Sequence, residues 1–136
     1  MNRSFKYFFC IFILLAAGCK QQVVNTPPYT YVMEQNFPNP FTDSTVVLYG
    51  VPLLQSGSDA PWIQIVATDR FNQVEAYLVN NHLHPAGSNF RAVWYGKGLD
   101  FQIAPKGIYY IEMRLVISTL TDNEYQVVAR KVAVKE

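Results

Sequence analysis

Over most of the chain, short segments of alternating hydrophobic and polar residues are separated by clusters of turn-forming residues. Alternation with a period of two predicts β-strands that bury one face and leave the other face in water. In one of the two longest such segments, 108–118, Tyr109 and Ile111 lie on one face, whereas Glu112 and Arg114 lie on the other. The pattern predicts strands at 31–34, 44–51, 62–69, 74–79, 89–95, 108–118 and 124–134.

No segment after residue 19 has sustained helical spacing. Short strands separated by turns predict an all-β chain, folded as a single antiparallel, immunoglobulin-like β-sandwich of about seven strands over residues 31–136. Asn72 lies in the short turn before the fourth strand and is expected to adopt a positive φ. Trp94 and Tyr109 alternate with core positions along their strands, so we expect both to be buried.

Composition narrows the class of protein. Of the 136 residues, 50% are hydrophobic and 15% are charged, which suits one domain with one core and excludes a disordered chain. The formal net charge is +1, without the strongly basic balance of a nucleic-acid-binding domain. We therefore expect no nucleic-acid partner.

Residues 1–18 have the pattern of a signal peptide. Arg3 and Lys6 precede an apolar run at 8–17, and small residues follow that run directly. A helix of this length spans about 15 Å, about half of the hydrocarbon core of a bilayer. The run is therefore too short for a transmembrane anchor and is interpreted as the apolar region of a cleaved signal.

The end of this signal, Leu15-Ala16-Ala17-Gly18-Cys19, resembles the lipobox of bacterial lipoproteins. The resemblance implies cleavage before Cys19, a diacylglycerol on the Cys19 thiol and acylation of the new amine. It implies a membrane partner, reached through the lipid on Cys19, and a place in the cell envelope. Lys20 rather than Asp favours the outer membrane, with its periplasmic or surface face left open. The alternative is an ordinary secretory signal that is cleaved elsewhere and leaves Cys19 as a free thiol.

Two further features follow from a lipidated Cys19. The polar stretch 19–30 contains two adjacent prolines and is interpreted as a short, extended, lipidated tether. Cys10 lies inside the signal peptide, so the mature chain is expected to have no disulfide. Its core must then supply the stability of the fold alone.

A second resemblance begins at residue 34, where the chain reads Glu34-Gln35-Asn36-Phe37-Pro38-Asn39-Pro40-Phe41 and then Ser44-Thr45. This opening is similar to that of the type A sorting domains of the type IX secretion system and the related immunoglobulin-like domain of flagellar hook-capping proteins. Weaker agreement continues to about residue 135. The family usually has Gly where this chain has Asn72, and Val74 and Glu75 are interchanged. The register of the strand after Asn72 therefore stays open.

The proline-rich part of this opening has two interpretations. In the structural one, Phe37 and Phe41 plug one end of the sandwich while the prolines fix an irregular turn. In the other, the segment is a recognition surface for an envelope or secretion-system protein. The candidate recognition residues are Asn36, Phe37, Pro38, Asn39, Pro40 and Phe41.

The sequence predicts no catalytic residue, metal site or cofactor. His82 and His84 could chelate a metal from a strand, but two ligands fall short of the three or four protein ligands that zinc uses. A solvated loop is the preferred interpretation of this pair. Asp69 is expected to accept hydrogen bonds from N–H groups of the adjacent turn. Trp62 and Tyr110 leave open an exposed stacking surface for a carbohydrate.

These features predict a membrane-anchored envelope lipoprotein whose β-sandwich binds or scaffolds without catalysis. The first alternative is a type IX C-terminal sorting domain that is recognised and processed at the outer membrane. An envelope enzyme ranks last.

Overall fold

The computed structural model describes residues 26–54, 59–118 and 123–136. All the predicted strands are present, and their ends fall within about two residues of the predicted positions. Within these residues the strands are β1 (Val32–Met33), β2 (Thr45–Val51), β3 (Trp62–Thr68), β4 (Val74–Asn81), β5 (Gly87–Trp94), β6 (Gly107–Ser118) and β7 (Asn123–Lys135).

The strands form two antiparallel sheets that pack as a sandwich. The smaller sheet has the order β1-β2-β5, and the larger has the order β4-β3-β6-β7. The fourth strand thus lies beside the third on the larger sheet, whereas the constant-type immunoglobulin plan places it on the other sheet. The predicted all-β sandwich is confirmed, with this strand order as its particular form.

The core lies between the two sheets and is filled by the inward face of each strand. Val47 of β2, Ile65 of β3 and Ile111 of β6 belong to this core, and all three are essentially inaccessible to solvent. Trp94 is buried as predicted, and its ring meets that of Tyr109 edge to face with centroids 4.9 Å apart. Alternation along the strands therefore identified the core correctly.

Tyr109 also closes the connection into β6. Its buried hydroxyl donates to the carbonyl of Pro105 at 2.6 Å. A tyrosine near the start of the sixth strand that bonds back to the preceding connection is the tyrosine corner of immunoglobulin-like sandwiches. Burial raises the pKa of the Tyr109 hydroxyl, and the carboxylates of Glu75 and Asp69 add to the rise.

The turn between β3 and β4 settles the register that the sequence left open. Asn72 has a φ of 61°, as predicted. The Asp69 carboxylate accepts the N–H groups of Phe71 and Gln73 at 2.8 and 2.9 Å, which confirms its predicted role. Val74 then pairs with Thr68, and the pairing shifts along β3 accommodate the rest of β4.

One expectation about the strand faces is wrong. Glu112 and Arg114 were expected on a wet face, but each is only 4% exposed. Arg114 donates to one Glu112 oxygen at 2.7 Å through Nη2, and Arg130 lies 3.3 Å from the other. The rings of Tyr125 and Tyr110 lie over the guanidinium groups of Arg114 and Arg130, respectively. Long side chains of β6 and of the neighbouring strand β7 therefore cover this face together, and alternation within one strand does not reveal the contribution of β7.

The sandwich has two ends that differ in their loops. We call the end at which the rings of Phe41, Trp94 and Tyr109 meet the far end. It includes the start of β6 and the end of β5. We call the opposite end the near end. There Val32 pairs with Gly50, at the point where the described chain enters the smaller sheet. The loops after β2 and β4 belong to this near end.

Candidate recognition site

The segment 35–41 passes from one sheet to the other at the far end. Phe37 and Val46 exchange two backbone hydrogen bonds, of 2.8 and 3.0 Å, which extends the edge of the smaller sheet. Phe41 then donates to the carbonyl of Val134 at 2.9 Å and runs parallel to the end of β7. One segment therefore borders both sheets. Its two X-Pro peptide bonds are cis, at Phe37–Pro38 and Asn39–Pro40.

Asn36 is an internal residue of this segment. It is almost completely buried, and its Nδ2 donates to Thr45 Oγ1 at 2.9 Å. Its Oδ1 accepts from Gln35 at 2.7 Å, and the Thr45 hydroxyl donates to the carbonyl of Pro38 at 2.8 Å. A buried amide is tolerated because its partners replace water. The role of Asn36 is therefore to hold the irregular turn together.

Asn39 covers the edge of β7 with its side chain. The Val134 N–H donates to Asn39 Oδ1 at 2.8 Å, and Asn39 Nδ2 donates to the Val132 carbonyl at 2.9 Å. Gln35 Nε2 reaches the same carbonyl at 2.8 Å. These amides supply the donors and acceptors that an adjacent strand would supply, and so they close part of an edge.

The two phenylalanines of the segment have opposite roles. Phe41 is 2% exposed and packs on Trp94 with ring centroids 5.2 Å apart, so its predicted role as a plug is confirmed. Phe37 is 80% exposed, so the same prediction is wrong for Phe37. Where the segment pairs with Val46 it follows strand geometry, and successive side chains point to opposite sides. Because Asn36 points inward, Phe37 points into solvent.

A loop at the same end, residues 96–104, adds exposed apolar side chains that sequence reasoning missed. Leu99 and Ile103 are exposed, and Phe101 is 81% exposed. Phe101 has a φ of 63°, which is rare for a bulky residue and occurs where the surroundings fix the backbone. The available signal was the alternation of apolar residues with Asp100 and Gln102 between Gly98 and Gly107. Backbone bonds close the loop: Phe101 to Gly98 at 3.0 Å and Ala104 to Gly96 at 2.8 Å.

The base of the 96–104 loop is tied to the core beneath segment 35–41. The Trp94 indole donates to the carbonyl of Lys97 at 2.9 Å. Gly96 has a φ of 63°, and a Cβ at this position would lie 2.9 Å from Lys135 Cε and 3.5 Å from Phe41 Cε2. Only glycine fits this close approach with a left-handed backbone. The loop and the segment are therefore held on one framework.

His82 and His84 do not converge on a common point. His84 is buried, and its Nδ1 donates to the Pro85 carbonyl at 2.8 Å while its Nε2 accepts from the Tyr49 hydroxyl at 2.9 Å. His82 is exposed and stacks on Trp62 at 3.9 Å. The interpretation as a solvated loop is right for His82 and wrong for His84, whose ring packs on those of Tyr49 and Phe90. Among the described residues, no group of three His, Cys, Asp or Glu side chains could hold a metal.

Trp62 and Tyr110 do not form one stacking platform. Trp62 pairs with Val116 across the sheet, which places it six positions, or about 20 Å, from Tyr110 along β6. Arg130 covers the Tyr110 ring, and His82 covers one face of Trp62. An open cleft of about 530 Å³ lies beside Trp62 at the near end and is lined also by Asp59, Pro61, His82, Ile117 and Ser118.

The predicted signal peptide 1–18, Cys19 and most of the predicted tether 19–30 lie outside the described residues. The described part of the chain contains no helix that is long and apolar enough to cross a membrane.

Comparisons with known proteins support the fold. No protein-family model and no curated protein sequence matches the chain. Among solved structures, the chain is similar to latent, dimeric PorU from Porphyromonas gingivalis, with a TM-score of 0.51 and 18% sequence identity. The match covers 78% of this chain and 10% of the PorU chain, so the chain spans about a tenth of that protein. At 18% sequence identity, this likeness supports the fold of the chain and nothing beyond the fold.

Proposed function

We propose that this chain is a membrane-anchored, non-catalytic envelope module that binds a partner protein through its far end. The observation that carries the proposal is Phe37, which is 80% exposed although two backbone hydrogen bonds fix it beside Val46. A large apolar side chain held rigidly in water marks an interaction surface when other apolar groups lie at the same end. Leu99, Phe101 and Ile103 are such groups.

The contacts within segment 35–41 separate its structural residues from its available ones. Asn36, Asn39 and Phe41 are engaged with the core or with β7. The side chains of Phe37, Pro38 and Pro40 are exposed and remain available to a partner. The proposal therefore assigns recognition to Phe37, Pro38 and Pro40 and a supporting role to the other three residues.

The direction of the chain favours the same end. Thr26 is held at the near end, where its carbonyl accepts from the Ser88 hydroxyl at 2.6 Å. An extended chain from Cys19 to Thr26 reaches about 23 Å. A lipid on Cys19 would therefore hold the near end against the membrane and leave Phe37 and Phe101 pointing away from it.

The partner we propose is an envelope or secretion-system protein. The proposal assigns no catalytic residue, cofactor, metal or nucleic acid. The best-buried ionisable groups have structural partners: Glu112 lies between two arginines, and His84 bonds Tyr49. Membrane attachment through Cys19 and an outer-membrane location belong to the proposal, on the strength of the lipobox-like sequence.

In-cell photocrosslinking tests the binding surface. A photoreactive phenylalanine analogue at Phe37 is expected to give a discrete adduct with one envelope protein, whereas the analogue at Tyr77, exposed on β4, is expected to give none. Phe101→Asp in the same chain is expected to abolish the adduct without lowering the amount of folded protein. Equal adducts from both positions, or an adduct that is insensitive to Phe101→Asp, would contradict the proposal.

A further inference from the structure

The near end combines exposed apolar side chains with few charges. Leu53 and Leu83, in the loops after β2 and β4, are 76% and 69% exposed. Among the residues that the structure describes there, the charged ones are Asp59 and Glu124. The far end differs: its exposed charged residues include Asp43, Arg70, Lys97, Asp100, Lys106 and Glu136.

Leu83 is held outward by bonds on both sides. Its N–H donates to Asn81 Oδ1 at 3.0 Å, and the following N–H, of His84, donates to the Pro61 carbonyl at 2.9 Å. The buried His84 ring bonds Tyr49 and fixes the loop from within. The outward position of Leu83 therefore follows from the backbone and from the neighbouring anchor. Leu53 is placed similarly, since it follows the buried residues Val51 and Pro52.

We propose that the near end rests on the bilayer, with Leu53 and Leu83 at the boundary between headgroups and acyl chains. This inference rests on the proposed lipidation of Cys19. Fully extended, the chain from Cys19 to Thr26 spans at most about 23 Å, and Thr26 is bonded at this end of the domain, so this surface would be the first to meet the membrane. The described part of the near end, with its protruding leucines and two carboxylates, suits that boundary better than the far end with its larger number of exposed charges.

Two aromatic groups at the near end fit the same environment. Tyr29 is fully exposed just before β1, and Trp62 lies half-buried with its indole N–H donating to Asn80 at 2.7 Å. Tyrosine and tryptophan favour membrane–water interfaces because each joins an apolar ring to a polar group. Contact of this end with the bilayer would hold the domain upright and present Phe37 and Phe101 on the opposite side.

Environment-sensitive probes on the lipidated full mature chain test the orientation. Lipidation blocks the Cys19 thiol and cleavage removes Cys10, so Leu83→Cys or Leu53→Cys introduces a unique thiol. Phe101→Cys is the matched control at the far end, because it too replaces an exposed apolar residue. Each variant is labelled with a nitrobenzoxadiazole probe and reconstituted in vesicles of equal parts phosphatidylethanolamine and phosphatidylglycerol, with and without spin-labelled lipid.

We expect blue-shifted emission and several-fold quenching by spin-labelled lipid at positions 83 and 53, and water-like emission without quenching at position 101. If the protein is bound to the vesicles but its position-83 probe behaves like the position-101 probe, this inference alone is overturned. A position-83 probe that leaves water only after another envelope protein is added would also overturn it, because the occupant would be that protein. Protein from native membranes that carries no lipid would overturn both proposals.

Discussion

Asn39 is bonded to Val134 as a neighbouring strand would be, with the Val134 N–H donating to Asn39 Oδ1 at 2.8 Å. The same side chain donates to the carbonyl two residues earlier in β7. The Asn39 side chain thereby protects the edge of a long strand where its own segment cannot pair regularly, since Pro38 and Pro40 have no N–H. The edge protection explains why the asparagine belongs to this proline-rich segment.

Asn39→Ala is expected to destabilise the fold by about 1–3 kcal/mol, because it leaves the partly buried Val134 N–H without its acceptor, whereas the Val132 carbonyl keeps its bond from Gln35. Urea unfolding followed by circular dichroism measures the loss. Gln102→Ala, at an exposed position in the 96–104 loop, is the control and should change the unfolding free energy by less than about 0.5 kcal/mol. Equal stability of the two variants would exclude a role for the Asn39 clamp.

The two phenylalanines of segment 35–41 form a matched pair. Phe41→Ala is expected to cost about 3–5 kcal/mol, because it removes a buried ring that packs on Trp94. Phe37→Ala is expected to change stability by less than about 0.5 kcal/mol while abolishing the proposed partner binding. Thermal unfolding and crosslinking in parallel check both parts. A Phe37→Ala protein as unstable as Phe41→Ala would make the exposed ring a structural residue after all.

The buried ion pair on the larger sheet gives an asymmetric prediction. Glu112→Ala is expected to lower the free energy of unfolding by about 3–5 kcal/mol, since Arg114 then stays buried without its carboxylate partner. Replacing Glu112 and Arg114 by leucine is expected to recover most of that loss, because no buried charge is left unpaired: Arg130, the other partner of Glu112, has a side chain that is 43% exposed to water. Urea unfolding of the single and double variants measures the difference. A double variant no more stable than Glu112→Ala would show that the pair contributes by more than mutual neutralisation.

Buried tyrosines predict the response to alkaline pH. Burial raises the pKa of Tyr49, and burial with nearby carboxylates raises the pKa of Tyr109. The unfolded chain therefore releases these protons first, near pH 10. The contribution of the two hydroxyls to the free energy of unfolding is fully present below that pH and is lost as the pH rises further. Thermal unfolding midpoints measured across this pH range should fall less steeply for Tyr109→Phe than for the unsubstituted protein. Tyrosinate absorbance reports the ionisation in parallel. That variant should also lose about 1 kcal/mol at neutral pH with the bond to Pro105.

The strands could be predicted because their signal is local. Alternation identified β2, β3 and β6, and the burial of Trp94 and Tyr109 followed from their positions in that pattern. Turn chemistry was equally local, since Asn72 tolerates a positive φ and Asp69 bonds N–H groups within four residues.

The features that escaped prediction depend on neighbours distant in sequence. Glu112 is buried partly because Arg130 and Tyr125 of β7 lie across the sheet on the same face. His84 is buried because Tyr49 and Pro61 meet it from other strands and loops. Phe37 and Phe41 have similar local sequence, and their difference arises from pairing with two different sheets. None of these relationships is encoded in a short window of residues.

The most direct test of the central claim is the intact mass of the protein purified from native membranes. A membrane-anchored module predicts a single lipid-modified chain that runs from Cys19 to Glu136. A sandwich released without lipid, or a lipidated species that lacks the sandwich, would contradict the claim and favour a sorting domain processed at the outer membrane.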